Sequence, residues 1–297
     1  MAVPTIPLIP AVETMPARPD GSRGLAVLLF SQGALITTSA ALGPLGLDVL
    51  HYRTSESGLA QILGTDLTAV ALVAPLCVWI GRLSWRGHPA APVLALAPAV
   101  FTVYVWSQLL VGNEFGRLPG NVEWYAPLLL AVVGVGVAVA VRASSALRHS
   151  TVPPWGRRLE RATGVLLLVV AGFVVVGIHL PSLMDALREN PVGYAVLSTP
   201  NAFWVVKAWD LGVVAPAALV LGIGLLRGRL WARTPAAAVL GGYVLLGCSV
   251  AAMGWSMLRS GAPDASVGLA AGATAIAVAG AGYAAALYRP LFARPRR

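Results

Sequence analysis

Eight stretches of the chain are apolar over a length that crosses a bilayer. They cover about 24–47, 59–81, 90–112, 124–142, 162–180, 203–226, 235–258 and 265–288, each close to the roughly 20 residues a spanning helix needs. Polar residues, proline and glycine collect between them. The pattern predicts an all-α integral membrane protein, a single bundle of about eight transmembrane helices over residues 24–288. Residues 1–23 hold five prolines and no compact apolar core, which predicts a disordered tail, and residues 289–297 form a short basic tail. The first apolar run is longer than a signal-peptide core and lacks a cleavage site, so it is expected to be retained.

The charges order these runs. Sixteen of twenty arginines fall in the N-terminal tail, in the 2–3, 4–5 and 6–7 connections and at the C-terminus, whereas the alternate connections hold only Arg53, Arg117, Arg188 and Arg259. This asymmetry predicts that both termini are cytoplasmic. It also accounts for the net charge of +9 without a nucleic-acid partner; the expected partners are the bilayer and a small apolar or amphiphilic ligand. Twenty arginines against one lysine, with abundant Ala, Gly and Val, point to a GC-rich bacterial source and hence to the cytoplasmic (inner) membrane.

Several chemistries are excluded by pattern. Cys77 and Cys248 form no C-x-x-C, which argues against thiol–disulfide exchange. His51 and His179 fall toward one end of the predicted bundle and His88 and His149 toward the other, so no pair is placed for transverse haem ligation. Metal-protease, nucleophile-elbow and phosphate-loop motifs do not occur. Neither a metal nor a cofactor is expected.

The two halves share landmarks. Asp66-Leu67, Val73-Ala74-Pro75, Gly81-Arg82-Leu83 and Trp106-Ser107-Gln108-Leu109 with Gly112 are followed by Asp210-Leu211, Val214-Ala215-Pro216, Gly228-Arg229-Leu230 and Trp255-Ser256-Met257-Leu258 with Gly261. These suggest a duplication, 24–142 against 162–288, in which four helices per half give copies of the same orientation, as in parallel-repeat carriers.

Charges inside hydrocarbon single out the candidate site. Asp66 and Asp210 each lie about seven residues into an apolar run, about 10 Å below its outer end at 1.5 Å per residue. Lys207, the only lysine, precedes Asp210 by one turn. Each such residue costs on the order of 2.5–3.5 kcal/mol at a helix centre. Lys207 and Asp210 can pair on one helix face, or Lys207 can snorkel to the headgroups. Asp66 has no cation within a turn, so it must meet Lys207 across the bundle, bind a proton, line water or clamp helices by hydrogen bonds. The antiparallel neighbours bring Tyr104, Trp106, Gln108, Trp255 and His179 to the same third of the bundle. Together these eight residues predict a polar, aromatic-walled cavity open to the outer side. In the longest outer connection, Pro181–Glu189 is expected to form a short interfacial helix, and Ser198-Thr199-Pro200-Asn201 to cap the sixth span.

The stretch His51-Tyr52-Arg53 through Gln61-Ile62-Leu63-Gly64-Thr65-Asp66-Leu67 and Pro75, with Thr199-Pro200-Asn201, Asp210-Leu211 and Pro216, resembles an uncharacterised family of bacterial multi-pass membrane proteins with an Asp-Leu helix in each half. Thr65, where the family has Gln, and Lys207 depart from that pattern. The resemblance implies a shared fold and two shared aspartates, and no activity. From the residues, the first expectation is a carrier or permease for a small, partly apolar molecule, with Asp66, Asp210 and Lys207 as ligands. The alternatives are an intramembrane enzyme using Asp general-acid chemistry on a lipid or isoprenoid, and a non-catalytic membrane partner or sensor.

Overall fold

The computed structural model describes residues 19–147 and 155–292. The expected N-terminal tail up to residue 18 and the basic tail from residue 293 lie outside the described residues. Among those described there is no strand, and eight helices are long and apolar enough to span a membrane. They are α1 (Pro19–Leu42), α2 (Glu56–Trp85), α3 (Ala91–Val111), α4 (Val122–Leu147), α5 (Arg157–Ala186), α6 (Pro200–Leu226), α7 (Leu230–Ser260) and α8 (Val267–Phe292). The protein is an all-α membrane bundle. The segment expected as a separate interfacial helix is instead the end of α5, which continues through Pro181 to Ala186, and a one-turn helix, Tyr194–Ser198, follows it.

Successive connections lie at opposite ends of the bundle. At the arginine-poor end the α1–α2, α3–α4, α5–α6 and α7–α8 connections knit together. Asn113 Oδ1 accepts the Arg53 N–H at 2.9 Å, Arg53 Nε donates to Glu123 at 3.1 Å, and Ser57 Oγ donates to Asp264 at 2.5 Å. At the arginine-rich end, Ser84 Oγ donates to the Ser22 carbonyl at 2.7 Å, Glu160 pairs with Arg233, and Trp79 meets Phe292.

Small residues set the helix spacing, as expected where lipid supplies no hydrophobic drive between helices. A Cβ on Gly64 of α2 would lie 2.5–2.6 Å from backbone atoms of Met253 and Ala252 on α7, and one on Gly254 of α7 would lie 2.8 Å from Ala270 Cα on α8. Gly164 and Gly222 let α5 and α6 cross with each backbone carbonyl about 3 Å from the other residue's missing Cβ. Two large apolar cores result, beside a small cluster of Ala60, Met257 and Ala262. One joins α1 to α4 around Leu29, Ile36, Phe101, Trp106 and Leu129. The other, around Leu167, Leu221, Leu225, Leu240 and Leu287, seals the arginine-rich half of α5–α8 and takes in the buried Trp155.

Three spans carry a π-helical segment. Ala69–Val73 in α2, Phe173–His179 in α5 and Asp210–Val214 in α6 are π-helical. Each ends two residues before a proline: Pro75, Pro181 and Pro216. A proline inside a helix has no N–H to donate, and its ring collides with the carbonyl four residues back. Widening the preceding turn relieves both problems. Correspondingly, the N–H groups of Ala74, Leu180 and Ala215 bond the carbonyls of Ala69, Val175 and Asp210, five residues back.

The start of α6 corrects another expectation. Thr199 is its N-cap residue, but no side chain of the Ser198–Asn201 segment caps it. The acceptor comes from the α3–α4 connection: the fully buried Glu114 takes the Asn201 N–H on Oε1 at 2.7 Å and Arg117 Nη1 on Oε2 at 3.1 Å. A carboxylate at a helix N-terminus also meets the positive end of the helix dipole. Glu114→Ala should therefore strip α6 of its cap and destabilise the fold by about 2 kcal/mol, read as a drop in the melting midpoint. Glu114→Gln, which keeps an acceptor for Asn201, should recover part of it.

Candidate functional site

The two π-turns of α5 and α6 face each other and build one polar cluster. His179 is the last residue of the α5 π-turn and Asp210 the first of the α6 π-turn. Their side chains meet with His179 Nε2 2.8 Å from Asp210 Oδ2. From α3, the Tyr104 hydroxyl donates to Asp210 Oδ1 at 2.7 Å. One carboxylate thus ties three helices together. Gln108, one turn from Tyr104 on the same face of α3, adds a buried amide nitrogen with no partner among the described residues. If Asp210 is ionised, His179 donates through Nε2, which leaves Nδ1 as a second buried polar atom without a partner.

This cluster lies on the wall of a cavity of about 620 Å³, a usual size for a small-molecule site, at the arginine-poor end. Its remaining lining is mostly apolar and comes from α2, α3, α5, α6, α7 and α8. Between α5 and α8 the wall is incomplete. Phe173 and Ile178 on α5, and Leu269 and Ile276 on α8, line the cavity and are also exposed on the bundle surface. A Cβ on Gly272 of α8 would meet nothing within 4 Å. The same two helices touch toward the arginine-rich end, where Thr163 Oγ1 and the Tyr283 hydroxyl are 2.8 Å apart. The α5–α8 side of the cavity is therefore its exposed side at the arginine-poor end, while the same two helices meet at the other end. Tyr52, in the α1–α2 connection, closes part of the rim, and burial pushes its phenol well up, so it stays a protonated donor at neutral pH.

A smaller space of about 250 Å³ adjoins this cavity and shares Gln61, His179, Ala202 and Val206 with it. Lys207 lines it. The expected Lys207–Asp210 pair does not form: Asp210 is taken by Tyr104 and His179, and Lys207 Nζ sits 3.5 Å from the ring centroid of Phe203. Lys207 is only 7% exposed, so it does not snorkel to the surface either. Its closest favourable partner is the π-face of that ring.

Of the eight residues expected at one site, Tyr104, Gln108, His179 and Asp210 come together on the cavity wall, and Lys207 lies next door. The other three lie elsewhere. Asp66 is fully buried and does not line the cavity, although its neighbour Thr65 does. Its Oδ2 would lie 3.3 Å from a Cβ on Gly43, beside the carbonyl-bearing end of α1, and neither carboxyl oxygen has a hydrogen-bond partner. Trp106 is wholly enclosed in the α1–α4 core and donates to Ser39 Oγ at 3.1 Å. Trp255 is 51% exposed on the outside of α7 and donates to Thr274 on α8. Both tryptophans share a depth with the site and face the wrong way, a distinction that helix depth alone does not make. Phe173, Ile178 and the Gly268–Ile276 face of α8 were missed, although the spacing of Gly268 and Gly272 on one helix face was a readable signal.

Fold and site together define a polytopic α-helical membrane protein with a ligand-sized cavity half-way into the bundle. Comparison of the chain with protein-family models, with curated proteins and with solved structures finds no match.

Proposed function

We propose that the protein is a carrier for a small, partly apolar molecule, taken up in the cavity around Asp210. The supporting observation is that the two helices meeting at the His179–Asp210 contact both depart from α-helical geometry there. Irregular helices at the binding site are the usual building plan of carriers, because they give the site ligands and give the helix a place to bend. The cavity is also blind: below it the aliphatic core of α5–α8 is closed. That arrangement suits one end state of alternating access. By the distribution of arginines, the open end faces the extracytoplasmic side and both termini are cytoplasmic.

Mass spectrometry of the protein extracted with its own bilayer in polymer discs should find a bound small molecule. Gly272→Trp, which fills open space beside α8, should lose that molecule while keeping the wild-type melting temperature. Uptake of the identified species, unchanged, into proteoliposomes supports carriage. A second reading, an intramembrane enzyme, draws on the His179–Asp210 pair, which is the orienting half of an acid–base device; chemical conversion of the species would select it. Binding with neither movement nor conversion would sink both.

A further inference from the structure

We infer that the ligand is an amphiphile with an acidic head, its alkyl body in the lateral cavity and its head on Lys207. The inference rests on the carrier reading for the cavity and adds the chemistry of the head. Lys207 is more than nine-tenths buried, within a membrane-spanning helix, and makes no hydrogen bond or ion pair among the described residues. An unpaired buried ammonium is costly, and the cost is removed by an anion.

Asp210, one turn away, attracts Lys207 through space but does not touch it, and both nearby acids hold other partners. Asp210 holds Tyr104 and His179, and Asp264, across the smaller space, accepts from Ser57 at 2.5 Å. What remains for Lys207 is the ring of Phe203 and an adjoining space of about 250 Å³. That space abuts the 620 Å³ apolar cavity, and Gln61, His179, Ala202 and Val206 line both. A molecule occupying both must be apolar over most of its length and carry an anion at one end. The gap between α5 and α8 allows such a molecule to slide in sideways from the bilayer, with its acid head riding at the arginine-poor end among Thr54, Ser182 and Thr199, which also line the smaller space.

The probes are four dodecyl compounds: the carboxylate, the phosphate monoester, the alcohol and the trimethylammonium. Each is titrated against the full chain in lipid nanodiscs, with binding read by native mass spectrometry. The carboxylate, the phosphate or both should bind roughly tenfold or more tightly than the alcohol, and whichever is tighter identifies the kind of acid. The trimethylammonium should bind worst. Lys207→Gln should remove the acid's advantage over the alcohol, with the melting curve of the variant in the same nanodiscs showing separately that it is folded. Lys207→Arg should restore acid binding. Equal binding of acid and alcohol, or an acid preference that survives Lys207→Gln, overturns the assignment of the head and leaves the cavity reading standing. Tightest binding of the trimethylammonium overturns it in favour of Asp210 as the anchor. Failure of all four to bind overturns the cavity reading as well.

Discussion

Asp210→Ala should cost the protein both its ligand and several degrees of melting temperature. The carboxylate is the single acceptor shared by Tyr104 on α3 and His179 on α5. Removing it leaves two donors facing a hole between three helices. Losing one member of a mostly buried polar cluster costs about 3 kcal/mol, on the order of 5–10 °C for a chain of this size. Asp210→Asn separates the clamp from the charge. Its amide oxygen can still accept from Tyr104, and its amide nitrogen can donate to His179 Nε2 once the imidazole proton moves to Nδ1. Stability should therefore largely return with asparagine. If uptake returns with it, the charge has no part in function and Asp210 is a clamp alone; if uptake stays lost, the carboxylate acts on the ligand or on a coupled proton.

The second large effect is steric. Gly64→Val should prevent α2 and α7 from docking, because the new Cβ would sit 2.5–2.6 Å from main-chain atoms of Ala252 and Met253. Side chains can turn aside from such a contact; a helix backbone cannot. The cost should reach or exceed the upper end of ordinary overpacking, about 3 kcal/mol, with little folded protein recovered from membranes. Gly134→Val on α4, where a Cβ meets nothing within 4 Å, is the matched control and should behave as wild type. Equal yields and melting curves for the two would mean that α2 and α7 are not held at this distance.

Much of the fold was legible because a bilayer enforces simple rules. Long apolar runs have few alternatives to spanning helices, so the number and order of spans could be read from hydropathy. The site was half legible. Depth follows from counting residues, which brought Tyr104, Gln108, His179 and Asp210 to one level, but the direction a side chain faces depends on helix rotation. The π-turns alter that rotation, and each inserts a residue that an α-helical count leaves out. Those of α2 and α6 are five residues each and stand at the same distance from their prolines. Counted back from Pro75 and Pro216 at the shared Val-Ala-Pro steps, both Asp66 and Lys207 stand nine residues before the proline. Asp210 stands level with Ala69, the first residue of the other π-turn. The Asp-Leu landmarks, which match Asp66 to Asp210, are out of step with that backbone register. Glu114, remote in sequence from the helix it caps, carried no local sign of its role.

The lateral gap between α5 and α8 also bears on how the protein behaves outside its membrane. A detergent monomer is itself an alkyl chain with a polar head, and the opening faces the space a micelle would fill. If Lys207 takes an acidic head as inferred above, detergents with anionic heads should compete with the ligand as well as solubilise, and zwitterionic or sugar-headed ones should compete less. The protein's apparent affinity for any added compound will then track the free concentration of the solubiliser, and its thermal stability will rise with detergents that fit the gap.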